Sequence, residues 1–72
     1  MTTEHPVDAL VVDTSKEDKI GYVMGHEGPC VQLRPPGGGL EWDANPDRVR
    51  PASETEVLRA RVTELNRAQR FE

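Results

Sequence analysis

Cysteine occurs once, at Cys30, so the chain cannot close a disulfide on itself. A lone thiol fits a reducing compartment, and a cytoplasmic setting is expected. Aromatic residues are scarce: only Tyr22, Trp42 and Phe71 are present, leaving few faces on which bases could stack. No apolar run approaches the roughly 18 residues that span a membrane. The opening "MTTEHPVDAL" lacks a basic segment followed by an apolar one, so no secretory signal is expected there. With 72 residues there is room for one domain and no deep substrate cavity. A core of this size typically supplies about 3–5 kcal/mol, so a contact with a partner or a second copy would add useful stability.

Charge is plentiful but uneven. The net charge is −4, and all of it comes from residues 1–33, where six acids face Lys16 and Lys19. Beyond residue 33, seven arginines balance seven acids. An acidic chain repels nucleic acid as a whole, although a local arginine cluster can still meet phosphate. The acidic half is expected to be a solvated face that can also steer the approach of a basic partner.

Glycine and proline, six of each, fall between apolar runs and mark turns. Residues 1–6 read as a loose tail. "VDALVVD" (7–13) reads as a strand and "TSKED" (14–18) as a turn. "KIGYVMG" (19–25) alternates, with Ile20, Tyr22 and Met24 on one face and Gly21, Val23 and Gly25 on the other. Its two glycines predict a bent or bulged strand. "HEGP" (26–29) is a second turn. "CVQLR" (30–34) and "LEWD" (40–43) alternate again, with Leu40 and Trp42 expected inward and Glu41 and Asp43 outward.

Between those two strands lies "PPGGG" (35–39). Proline fixes φ and lacks a donor, so it ends pairing; glycine reaches the positive φ that closes a hairpin. A phosphate-cradling loop would instead run into a helix carrying Lys and Ser or Thr. The residues after Gly39 are strand-like and acidic, so the stretch is read as a hairpin loop.

"NPDRV" predicts one 3₁₀ turn and "VRP" a brief last strand. From residue 53 the period becomes helical through residue 72. Ser53 and Glu56 have the spacing of a capping box, and Glu54, Glu56, Arg67 and Arg70 suit the helix dipole. Glu56–Arg59 and Glu64–Arg67 are spaced for ion pairs. The apolar stripe is Leu58, Val62 and Leu65, flanked by Val57 and Ala68. A coiled coil wants three or more heptads, and fewer than that are present. Packing on its own domain is the first expectation; pairing with another chain, including a homodimer through this helix, is the second; a mostly free helix is the third.

Short strands, tight turns, a 3₁₀ turn before the last strand and a closing helix together resemble a small SH3-like β-barrel of about five strands. "KIGYVMG", "CVQLRPPGGGLEWD" and "NPDRVRP" carry the resemblance, which is to the KOW-like and Tudor-like members and covers residues 7–52. The chain is also similar to short actinobacterial proteins with a "VMGHxGPxVQLRPxGGGxEWD" core. The resemblance implies a mainly β fold with a C-terminal α-helix over residues 53–72. It implies no catalytic residue, since such barrels serve many unrelated roles.

The candidates for chemistry are thin. His26 and Cys30 are too few for a zinc site, which commonly takes four ligands, and no metal or cofactor is expected. Cys30 beside His26 lacks a third, orienting group, so nucleophilic catalysis is not expected. Two binding readings stay open. In the first, the chain is a non-enzymatic protein-interaction module, such as a regulatory accessory protein. It would use Arg34, Trp42, Arg48 and Arg50, with Leu58, Val62 and Leu65 docking in a groove. The alternative is a KOW-like nucleic-acid accessory protein in which Arg34, Arg48 and Arg50 cluster near Tyr22 or Trp42.

Overall fold

The computed structural model describes the backbone of residues 5–69 and the side chains of residues 5–66. Five strands run in order: β1 (Leu10–Asp13), β2 (Lys19–Glu27), β3 (Cys30–Arg34), β4 (Trp42–Ala44) and β5 (Val49–Pro51). The helix α1 (Glu54–Gln69) comes after them. Single 3₁₀ turns, Thr14–Lys16 and Pro46–Arg48, lie between β1 and β2 and before β5. All pairings are antiparallel, in the order β4-β3-β2-β1-β5.

This is a five-stranded open sheet, whereas a closed barrel was the expectation. Both edge strands are only three residues long. β4 stops at Asn45–Pro46 and β5 at Pro51, and proline has no N–H with which to extend a ladder.

The core lies on one face. Val11, Val23, Val31, Leu33, Ala44 and Val49 form it, with Ala9 and Trp42 packed at its margin. The expected irregularity in β2 is a bulge: Val23 pairs with Leu33 but Gly25 pairs with Gln32. Met24 is the extra residue, and the slip puts Gly25 on the face opposite Val23 rather than beside it.

The hairpin loop forms as its residues dictate. Gly38 N donates to Pro35 O at 3.1 Å, closing a turn with Pro36 and Gly37 at its centre. Gly37 has φ +82°, the left-handed value that a type II turn needs after proline. Leu40, expected inward, is 88% exposed at the end of this loop. Gly38 and Gly39 also take positive φ and carry the chain away from the sheet before pairing resumes at Trp42.

At the other end of the chain, the described residues begin at His5. Residues 1–4 lie outside the described residues, but His5 is buried and Pro6 O accepts from Ala9 N at 3.0 Å. Asp8, at φ +76°, turns the chain into β1, which therefore begins at Leu10 rather than Val7.

The second face of the sheet carries Leu10, Val12, Ile20 and Tyr22, by the alternation of β1 and β2. Val12 is fully buried there, and α1 lies over this face, as its contacts to Arg50 and Tyr22 require. Ala60, 2% exposed, is the helix residue that seats closest. The expected stripe does not make this contact. Leu58, Val62 and Leu65 are more than half exposed and point away from the sheet. A small alanine allows close approach, Val57 beside it is part-buried, and the Glu56–Arg50 pair adds a polar grip.

Candidate functional site

The start of α1 is fixed by three residues acting together. Ser53 N donates to Glu56 Oε1 at 2.8 Å, and Glu56 N donates back to Ser53 Oγ at 3.2 Å, forming the expected capping box. Arg50 on β5 grips the same carboxylate with both guanidinium nitrogens, at 2.9 and 2.8 Å. Such two-point contacts orient as well as attract. The Arg50 guanidinium, then the Ser53 backbone N–H, hold the Glu56 carboxyl down at about 2. Glu56 thus turns inward to Arg50 rather than along the helix to Arg59. The Arg67 side chain lies outside the described residues.

Midway along α1, Glu64 borders Tyr22 of β2. Burial first, and then the neighbouring Glu64 carboxylate, raise the Tyr22 hydroxyl above its ordinary range. Ala60 is one turn from each of Glu56 and Glu64, so these three positions define the inner side of the helix.

The outer side is set by helix geometry. Val62 stands about 200° around the helix from Ala60, and Leu58 and Leu65 flank it on the same side. Their exposures are 63%, 54% and 59% for Leu58, Val62 and Leu65. Scattered exposed aliphatic side chains are ordinary, but three in one stripe on one element form a patch. Two shallow depressions run along the flank between this stripe and the sheet. One, about 420 Å³, is lined by Ala52, Glu54, Val57, Leu58 and Arg61. The other, about 500 Å³, is lined by Tyr22, Arg61, Glu64 and Leu65.

The arginines do not gather. Arg34 lies on β3 and Arg50 on β5, with β2 and β1 between them, a separation of about 14 Å at ordinary strand spacing. Arg50 is already bound to Glu56. Arg48 is exposed on the second 3₁₀ turn, where its carbonyl accepts from Thr14 Oγ1 at 2.8 Å.

Trp42 is half-buried and engaged on every side. Its Nε1 donates to Asp13 Oδ2 at 2.9 Å, its ring edge closes on Gly21, and Lys19 Nζ sits 4.4 Å from the ring centroid. Asp13 is fully buried, and its Oδ1 accepts from Ser15 N and Ser15 Oγ at 2.9 and 2.6 Å. Burial pushes the Asp13 carboxyl up, but its bonds to Ser15 and Trp42 outweigh this and leave it below its ordinary value. Sequence reasoning missed Asp13. The Asp-x-Ser spacing at a strand end was the available signal, since such an aspartate caps the following turn.

His26 and Cys30 stand apart. His26 pairs with Val31, whereas Cys30 pairs with Glu27, so the two side chains leave opposite faces of the hairpin. Among the described residues no three His, Cys, Asp or Glu side chains converge as a metal site would require. Among them, too, no helix is long and apolar enough to cross a membrane. Compared with protein-family models, curated proteins and solved structures, the chain matches none.

Proposed function

We propose that the chain is a non-enzymatic protein-interaction module, an SH3-like sheet that carries α1 on its outer face and presents that helix to a protein partner. The observation that carries the reading is the stripe of Leu58, Val62 and Leu65, which turns away from the sheet that α1 packs on. An apolar face held outward on an anchored helix suits helix-to-helix docking. The strand order and the 3₁₀ turn before β5 support the SH3-like assignment. A regulatory accessory role fits a small module whose surface offers contact rather than an enclosed pocket.

The nucleic-acid reading draws less support, because Arg34 and Arg50 are separated and Arg50 is committed to Glu56. Recovery of tagged protein from its native lysate, with and without nuclease, separates the two. The module reading expects protein recovery that survives nuclease and falls when Leu58→Glu and Leu65→Glu are combined. Recovery that requires intact nucleic acid, or that ignores the double substitution, would overturn it.

A further inference from the structure

We infer that the occupant of the outer face of α1 is a second copy of the same chain, paired helix to helix in parallel. The inference rests on the interaction-module reading and names its partner. Within 54–66 the outward positions follow the heptad spacing of four and three: Leu58, Val62, Leu65, with Thr55 continuing the seam toward the N-terminus. In heptad terms Leu58 and Leu65 occupy d, and Thr55 and Val62 occupy a. A β-branched residue at a with leucine at d is the pattern that favours two parallel strands.

The flanking charges agree with that orientation. Glu54 falls at g and Arg59 at e of the next heptad, so in a parallel pair each Glu54 meets Arg59 of the other copy, twice by symmetry. Arg61 then meets Asn66, and no like charges oppose. The antiparallel register that seats Leu58 against Val62 brings Arg59 onto Arg59 and Arg61 onto Arg61, two repulsive pairs. Charge therefore selects between the two ways of burying the same stripe.

The fold leaves room for the pairing. Ala60 occupies f, the position farthest from the seam, and it is the point at which α1 sits on its own sheet. Two copies can meet along their helices with both sheets outside. The seam has only four layers over residues 54–66, so the contact falls below the ~1,200 Å² of a standard stable interface. The expected dimer is weak and depends on concentration.

Two measurements test this. Sedimentation equilibrium should show monomer and dimer in exchange between roughly 10 μM and 1 mM, the range of small interfaces. Leu58→Glu with Leu65→Glu should weaken association at least about tenfold, with Trp42 fluorescence unchanged to confirm a folded sheet. Orientation is read by Thr55→Cys placed in a Cys30→Ser background. Mild oxidation should link the two copies, because position 55 faces itself only in the parallel pair. A monomer at 1 mM, a dimer indifferent to the double substitution, or no cross-link in a dimeric sample would each overturn the inference. A monomer that still recovers a different protein through Leu58 and Leu65 would refute self-pairing and leave the module reading standing.

Discussion

Among single residues, the Asp13–Trp42 contact reaches far, tying β1 to β4 across the two strands between them. Both carboxylate oxygens act only as acceptors, one for the Trp42 indole and one for Ser15. Replacing Asp13 by Asn puts a donor where one of those acceptors stood, whichever way the amide turns. Leaving a buried donor unpaired costs about 1–3 kcal/mol, and urea denaturation followed by Trp42 fluorescence should show a loss of that size. Gly21 is constrained by the same ring. A Cβ there would lie 2.8 Å from Trp42 Cη2 and 3.1 Å from Leu33 Cβ, and 3.3 Å from the Arg34 carbonyl oxygen. Gly21→Ala should therefore destabilise by about 1–3 kcal/mol and shift Trp42 emission to the red as the ring is displaced. The glycine pattern in β2 announced a close backbone approach; it did not say that Trp42 would be the neighbour. That depends on β3 pairing with both β2 and β4, which no local stretch encodes.

Among the elements, α1 is anchored by polar contacts, and this explains what its sequence disclosed and what it withheld. The capping box was legible because Ser53 and Glu56 find each other within one turn. The 3₁₀ turn at Pro46–Arg48 and the Pro-Gly turn were legible for the same local reason. The helix face was not. Periodicity selects the most apolar side, Leu58–Val62–Leu65, whereas the side toward the sheet is set by Ala60, by Glu56 through Arg50, and by Glu64 beside Tyr22, a neighbour distant in sequence. The anchor makes α1 sensitive to acid. The Glu56 carboxyl is held at about 2 against an ordinary 4.5, so its contribution is complete above 4.5 and is lost as pH falls toward 2. Asp13, also depressed, acts in the same direction below its ordinary 3.8. Circular dichroism at 222 nm should show helix loss between pH 5 and pH 2 (about the span of these two groups). Glu56→Gln keeps an acceptor for the cap but not the ion pair with Arg50, so it should flatten most of that dependence.

In the molecule as a whole, a sheet that buries its core on one face and carries α1 on the other leaves recognition to the outer side of that helix. The molecule is elongated, 45 × 23 × 21 Å, and among the described residues Leu58, Val62 and Leu65 form an exposed apolar stripe on an element fastened from the opposite side. A fold of this size gains from covering that stripe, and the charge pattern beside it suits a second copy. The arginines that sequence alone grouped into a site are dispersed by the strand order, and one of them became a structural clamp. If the outward face of α1 is where this protein meets another chain, backbone amide shifts recorded by NMR across a dilution series will locate the contact. Shifts that change with concentration should be confined to α1, strongest at Thr55, Leu58, Arg59, Val62 and Leu65, with the β-sheet core unmoved. Changes centred on the Leu40 loop or the free strand edges would refute that placement. So would no change up to millimolar concentration together with no partner captured through Leu58 and Leu65.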